Sequence, residues 1–254
     1  MSGPAFGLDP RVDFVVGGVQ KGGTTSLDRM LRDHPAVAMG RQKEPHWFDD
    51  DERFASGMPD PAPYHAMWGE RLFDRLCGDA TPSYLWWPGA VERIRTYNPA
   101  MRWILLLRDP SSRAYSHWNM RRQRDAEPLD FAAALDAEPE RLRNSPPRNR
   151  RGGSYADRGF YARQIARLWE SFPREQTLIL KSTDLRGNPG ETLAAITDFL
   201  GLEPLATFTA ESHNEGEYDE PMRPEDRRRL VRLYDADIRE LESMLGWDLS
   251  EWRR

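Results

Sequence analysis

The chain has 254 residues, enough for one α/β domain or at most two small ones, and its formal net charge is −5. This charge gives no indication of a general affinity for nucleic acid. A single cysteine, Cys77, excludes an internal disulfide and a cysteine-based zinc site, and no group of His, Asp and Glu stands at metal-ligand spacing.

The predicted elements alternate between apolar strands and amphipathic helices. They are, in chain order, strand Val12–Gly17, helix Thr24–Arg32, strand Ala36–Met39, helix Pro88–Tyr97, strand Trp103–Leu107, helix Ser111–Gln123, helix Asp157–Phe172, strand Thr177–Leu180, helix Gly190–Leu200 and helix Pro224–Leu245. The three longer strands are apolar on both faces, which is typical of buried strands in a parallel sheet.

This alternation predicts a three-layer α/β fold, in which a central parallel sheet carries helices on both faces. We expect a single domain over residues 1–254, with a flexible segment at 1–10 and a mobile loop at 141–153, where Pro, Arg and Asn are concentrated. Ligands of such sheets bind at the carboxyl ends of the strands. The residues that follow Gly17 and Leu107 are therefore the first candidates for a site.

The sequence lacks the long apolar segments that targeting and membrane insertion require. The N-terminal stretch MSGPAFGLDPRVDFVVGG is too polar for a signal peptide, and no window approaches a membrane span. Together with the lone cysteine, this predicts a cytoplasmic protein. The oligomeric state stays open between a monomer and a homodimer.

A glycine-rich loop with one lysine follows the first predicted strand, in the stretch GVQKGGTTSL. Lys21 supplies a positive charge, and Gly22 and Gly23 allow close backbone approach. Backbone N–H groups and the hydroxyls of Thr24, Thr25 and Ser26 open the next helix, which is how proteins build phosphate and sulfate sites. The order differs from a Walker A loop, where Lys directly precedes Ser or Thr, and from the spacing of dinucleotide folds. The alternative is a glycine-rich turn with an incidental lysine.

A second anion-binding pattern follows the central strand, in MRWILLLRDPSSRAYSHWNM. Arg108 stands at the carboxyl end of this strand, and Ser116 lies in the next helix. The planar guanidinium of an arginine donates two parallel hydrogen bonds to a phosphate. The alternative is a structural pair between Arg108 and Asp109.

The stretch KEPHWF after the short strand supplies candidates for acid–base chemistry. Transfer of a group to a hydroxyl needs a base within hydrogen-bonding reach of the attacking oxygen. Glu44 is the first candidate and His46 is the rival base. Trp86 and Trp87, further along, are candidates either for stacking on an acceptor or for core packing.

These motifs together resemble the PAPS-dependent sulfotransferases, closest to the branch of the heparan sulfate enzymes and their bacterial relatives, over roughly residues 11–252. PAPS is 3′-phosphoadenosine 5′-phosphosulfate, and its desulfonated product is PAP. The resemblance implies that Lys21 and residues 22–26 bind the 5′-phosphosulfate, and that Arg108 and Ser116 bind the 3′-phosphate. It also implies that Glu44 is the catalytic carboxylate beside His46, that the acceptor is a carbohydrate or small molecule with a hydroxyl or amine, and that no metal takes part.

Two positions depart from the family pattern. Ala80 stands where several heparan sulfate enzymes have Lys, and the acidic stretch 213–222 stands where many relatives have a Gly-Arg loop that caps the 3′-phosphate. Arg223 or Arg227–Arg229 are candidates to replace that loop. Two alternatives therefore stay open: a nucleotide-dependent kinase or phosphotransferase, and a module that binds PAPS or PAP without chemistry.

Overall fold

The computed structural model describes residues 11–72, 74–144, 152–205, 208 and 220–254. The chain divides into two compact units, Met1–Leu107 with Leu168–His213 and Arg108–Arg167 with Asn214–Arg254. The segment 1–10, expected to be flexible, lies outside the described residues. The assignment of the whole chain to one domain stays a prediction.

The first unit contains the sheet and the helices around it. Its elements are β1 (Phe14–Gly18), α1 (Thr24–Arg32), β2 (Val37–Met39), α2 (Ala62–His65), β3 (Leu76–Asp79), α3 (Ala90–Tyr97), β4 (Arg102–Leu107), β5 (Thr177–Lys181), α7 (Ser182–Gly187) and α8 (Pro189–Leu200). Prolines and glycines set several of these bounds. Pro189 opens α8 and the left-handed Gly201 ends it, as the sequence predicts.

The five strands of the first unit form one parallel sheet in the order β2-β3-β1-β4-β5. The carboxyl ends of β1, β2 and β3 therefore lie at the same edge. The α/β class and the parallel sheet flanked by helices are confirmed. The alternation of side chains explains the packing: Phe14, Val16 and Ile104 join the apolar side chains of α1, α7 and α8. On the other face, the Trp103 ring packs against Phe172, with 5.7 Å between ring centroids.

The strand β5 corrects one expectation. The sequence predicts a buried strand at 177–180, but all five residues of β5 are only half-buried. The reason is its place in the sheet, since β5 pairs with β4 on one side and is an edge strand. An apolar run predicts a strand well, but it does not distinguish an edge from a centre.

The second unit is helical. It contains α4 (Pro110–Arg122), α5 (Phe131–Asn144) and α9 (Pro224–Leu245), and α6 (Tyr161–Ser171) begins in it and ends in the first unit. Asp109 caps α4 by accepting a hydrogen bond from the Ser111 amide at 3.1 Å.

The helix α5 corrects the predicted mobile loop at 141–153. Residues 141–144 belong to the helix, because the Arg141 guanidinium binds the Glu127 carboxylate at 2.5 Å and holds the last turn. Gly152 and Gly153 are also described as helical, and 145–151 lie outside the described residues. The mobility of this Pro- and Arg-rich segment stays a prediction.

Candidate functional site

The loop between β1 and α1 is closed by backbone hydrogen bonds. The Val19 amide donates to the Leu106 carbonyl at 3.2 Å, and the Gly22 amide donates to the Val19 carbonyl at 2.8 Å. A side chain at position 22 would place its Cβ only 2.3 Å from the Leu106 carbonyl oxygen. Only glycine fits there, so the sheet itself fixes the course of this loop.

Lys21 has a left-handed backbone conformation, with φ of 68°, and Gly23 has φ of 102°. This conformation is uncommon for a residue with a side chain and occurs where the surrounding structure imposes it. Thr24 is buried, whereas Thr25 and Ser26 are half-buried at the start of α1. The first N–H groups of a helix have no partners within it. The loop thus combines a lysine, hydroxyls and helix N–H groups, a set suited to a phosphate or a sulfate.

The residues Glu44 and His46 lie in a second strained turn, which follows β2. Their φ angles are 57° and 53°. Lys21, Glu44 and His46 are three of the four non-glycine residues with positive φ in the described part of the chain; the fourth is Asp125. The Glu44 amide donates to the carbonyl of Ala80, which follows β3, at 3.3 Å. Both strained turns therefore follow carboxyl ends of strands at the same edge of the sheet.

The side chains of this turn form a chain of polar contacts. The Lys43 ammonium lies 2.5 Å from Glu44 Oε1, and His46 Nε2 lies 3.7 Å from Glu44 Oε2. His46 Nδ1 lies 2.9 Å from Asp49 Oδ2, and the Ser83 hydroxyl donates to the same oxygen at 2.5 Å. Asp49 is fully buried, and Ser83 is buried as well. This arrangement fixes the imidazole between two carboxylates.

Sequence reasoning did not single out Asp49 or Ser83. Asp49 opens an acidic run, which indicates a solvated loop when it is considered alone. The signal for a contact with His46 was the spacing of three residues, because a turn can bring two side chains at that spacing together. Ser83 gives no local signal, since it is 34 residues from Asp49 in the chain.

Buried aromatic side chains pack against the turn that carries Glu44 and His46. Trp47 stacks on Tyr64 with ring centroids 5.2 Å apart, and the Trp47 amide donates to the Tyr84 hydroxyl at 3.1 Å. Trp86 and Trp87 are only 8 % and 2 % exposed. Of the two interpretations of this pair, core packing is confirmed and stacking on an acceptor is not supported.

Arg108 and Ser116 belong to the second unit. Arg108 directly follows β4 in the chain and is half-buried, and its carbonyl accepts a hydrogen bond from the Tyr161 hydroxyl at 2.9 Å. Ser116 is buried in α4. Asp109, the partner of Arg108 in the alternative interpretation, caps α4 and forms an ion pair with Arg227. The pair of Arg108 and Ser116 stays a predicted phosphate site.

The arginines of α9 are the candidates to replace the Gly-Arg loop. Arg227 binds Asp109 and donates to the Arg254 carbonyl at 3.0 Å, and Arg229 lies 2.7 Å from Asp136. Arg223 and Arg228 are exposed. Most of the acidic stretch 213–222 lies outside the described residues. In the part of the chain that is described, no group of three His, Cys, Asp or Glu could hold a metal, and no helix is long and apolar enough to cross a membrane.

Comparison with known proteins gives the family. The model of the sulfotransferase domain matches residues 91–218, about half of the chain. Heparan sulfate glucosamine 3-O-sulfotransferase 3B1 of Homo sapiens is 30% identical over 202 residues, which cover 76% of this chain and 47% of that protein. Heparan sulfate glucosamine 3-O-sulfotransferase 6 of Homo sapiens is 29% identical over 214 residues, covering 81% of this chain and 56% of that protein. The chain thus spans about half the length of the curated relatives it matches.

A solved structure agrees with this assignment over nearly the full chain. The sulfotransferase from Alicyclobacillus acidocaldarius superposes with a TM-score of 0.82 at 28% identity, covering 96% of this chain and 99% of that one. The fold and the family model therefore define the class of protein: the chain belongs to the sulfotransferase family.

Proposed function

We propose that the protein transfers the sulfuryl group of PAPS to a hydroxyl or amine of a carbohydrate or small-molecule acceptor and releases PAP. The observation that carries the proposal is the pair of strained turns at one edge of the sheet. One holds Lys21 and the other holds Glu44 and His46, all with positive φ. Strain of this kind is retained at sites where function requires a fixed geometry.

In this proposal the loop at 21–26 binds the 5′-phosphosulfate. Negative charge develops on the bridging oxygen as the sulfuryl group leaves, and the Lys21 ammonium stabilises it, as cations do in phosphoryl transfer. The amides of Gly22 and Gly23 and the groups of Thr24, Thr25 and Ser26 orient the other oxygens. Arg108 and Ser116 bind the 3′-phosphate. That phosphate distinguishes PAPS from ATP.

On the acceptor side, Glu44 removes the proton from the attacking oxygen or nitrogen. The His46 Nε2 atom, 3.7 Å from the Glu44 carboxylate, is the neighbouring group that stabilises the proton once it is transferred. His46 itself is the rival base, since Asp49 fixes its ring. No metal takes part in this proposal, because Lys21 supplies the charge that a metal supplies in many phosphoryl transfers.

The test is incubation with sulfur-labelled PAPS and a panel of sugars, phenols and amines, with the product identified by mass spectrometry. We expect labelled product with the natural protein and a large loss with Lys21→Ala, which removes charge stabilisation at the leaving group. Arg29→Ala is the matched control, because it also removes a positive charge but lies at an exposed position in α1, beyond the loop at 21–26. The same incubation is repeated with an extract of the host as the source of acceptors. If no acceptor in the panel or the extract is labelled, but the protein still binds PAP, a binding module without chemistry is favoured.

The proposed compartment is the cytoplasm. The only cysteine of the sequence, Cys77, is a free thiol, and its burial raises its pKa to about 12. Such a thiol is unreactive and gives no sign of a role in disulfide chemistry. Fluorescence microscopy of the tagged protein in its host tests this assignment.

A further inference from the structure

The turn that carries Glu44 and His46 requires support from the rest of the unit, because two of its residues have positive φ. The Arg53 guanidinium supports two carbonyls of the turn, those of His46 and Trp47, at 3.3 and 3.2 Å. The segment Asp79–Tyr84 supports two of its amides. The Ala80 carbonyl accepts from the Glu44 amide at 3.3 Å, and the Tyr84 hydroxyl accepts from the Trp47 amide at 3.1 Å. These two hydrogen bonds hold the turn on either side of His46.

A buried carboxylate orients the second of these bonds. Asp79 is 1 % exposed and accepts three hydroxyl hydrogen bonds, from Tyr64 at 2.7 Å, Tyr84 at 2.8 Å and Thr81 at 2.7 Å. Because the Tyr84 hydrogen points at Asp79, its oxygen lone pairs are left for the Trp47 amide. The carboxylate thus determines that Tyr84 acts as an acceptor toward the turn.

We propose that Tyr84 is a positioning residue for sulfuryl transfer, and that it holds Glu44 and His46 in place by bridging Asp79 to the Trp47 amide. The inference rests on the proposed function for its kinetic part only. Tyr84 acts through the backbone of the turn, since its hydroxyl is fully committed to Asp79 and Trp47.

Tyr64 offers a matched control. Its hydroxyl donates to the same Asp79 oxygen, Oδ2, as the Tyr84 hydroxyl does, and both rings are fully buried. Of these two hydroxyls, that of Tyr84 is described as accepting a hydrogen bond from a backbone amide of the turn, the amide of Trp47. Tyr84→Phe and Tyr64→Phe therefore remove equivalent hydrogen bonds from Asp79 and keep both rings, but only Tyr84→Phe also removes the acceptor of the Trp47 amide.

The first readout is hydrogen exchange of the Trp47 amide in the full chain labelled with ¹⁵N-tryptophan, which needs no activity. We expect about tenfold faster exchange in Tyr84→Phe, the order of magnitude for one lost hydrogen bond, and no change in Tyr64→Phe. Equal exchange in the two variants would overturn the inference.

The second readout is turnover with PAPS and the best acceptor. We expect kcat to fall about 10-fold to 100-fold in Tyr84→Phe, because a small displacement of the reacting groups is costly, with the KM for PAPS unchanged. Tyr64→Phe should stay within about twofold. Equal losses of kcat in both variants would also overturn the inference. A natural protein without turnover, but with the difference in exchange, would contradict the proposed function and leave the support of the turn by Tyr84 established.

Discussion

The Nδ1 atom of His46 lies 2.9 Å from the Oδ2 atom of Asp49, a carboxylate that is 0 % exposed. An ionised carboxylate can only accept hydrogen bonds, so the neutral imidazole has its hydrogen on Nδ1. The other ring nitrogen, Nε2, then faces the Glu44 carboxylate at 3.7 Å as an acceptor. Asp49 thereby determines which nitrogen of His46 is available for proton transfer.

We therefore predict that Asp49→Asn lowers kcat about tenfold or more, because an amide no longer fixes the imidazole as the carboxylate does. PAP affinity, measured by calorimetry, should stay unchanged. Asp60→Asn is the control, since Asp60 is exposed and accepts a hydrogen bond from the Ala62 amide at 3.0 Å, outside this chain of contacts. Equal activity of the two variants would show that His46 needs no orientation by Asp49.

A second prediction separates the two candidate bases. Glu44→Gln keeps the shape of the side chain and removes the basic carboxylate, so turnover with a hydroxyl acceptor should fall by about 10²–10⁴-fold. PAP affinity should stay within about threefold, because Glu44 is proposed to act only on the acceptor. Steady-state kinetics and calorimetry on the same preparations provide the measurements.

His46→Asn is compared in the same assay. If Glu44→Gln retains most of the activity while His46→Asn loses it, the histidine is the base. If both variants are active, the acceptor site lies elsewhere and the polar contacts of this turn are structural only.

The sequence predicts the local features of the fold and site, and it misses those that depend on distant contacts. Lys21 and Arg108 are recognisable because each follows an apolar run and precedes a helix. The strand β3 is missed because it is short and contains Gly78, where a Cβ would lie 2.2 Å from the Phe14 ring. The partners of Asp79 and Asp49 come from residues up to 34 positions away, so no periodicity indicates them.

A third prediction concerns the donor loop. Gly22→Ala should weaken PAP binding more than tenfold and destabilise the fold by about 2 kcal/mol or more, because its Cβ would lie 2.3 Å from the rigid Leu106 carbonyl oxygen. Gly190→Ala is the control, since a Cβ there has no neighbour within 4 Å. Calorimetric titration with PAP and thermal unfolding measure both effects. Normal PAP binding by Gly22→Ala would exclude this loop from the donor site.

A fourth prediction tests the 3′-phosphate assignment. Arg108→Ala should weaken PAP binding by about 1.5–3 kcal/mol, and Ser116→Ala by about 1 kcal/mol, since a hydrogen bond to a charged group is the stronger one. Adenosine 5′-phosphate, which lacks the 3′-phosphate, should bind the natural protein and Arg108→Ala equally. Arg163→Ala, at an exposed position in the same unit, is the control. A loss of adenosine 5′-phosphate binding equal to the loss of PAP binding would contradict the assignment.

The last prediction concerns the pH dependence of stability in the second unit. Burial raises the pKa of Glu138 to about 7, although its carboxylate accepts the amides of Ala156 and Asp157 at 2.6 and 2.8 Å. A pKa raised above the unfolded value of 4.5 contributes stability that is present below about pH 4.5 and is lost as the pH rises through 7. The contribution is on the order of 3 kcal/mol, since one pKa unit corresponds to about 1.4 kcal/mol.

Glu138→Gln removes this titration. The difference in unfolding free energy between the natural protein and Glu138→Gln, measured by urea unfolding, should therefore shrink as the pH rises from 4.5 to 8. Glu127→Gln is the control, because the pKa of Glu127 is shifted in the opposite direction. Burial opposes ionisation of Glu127, but hydrogen bonds from Arg141 and Tyr155 prevail and lower its pKa, so its contribution is lost only as the pH falls. A difference for Glu138→Gln that stays as constant over this range as the difference for Glu127→Gln would show that Glu138 is ionised in the folded protein throughout.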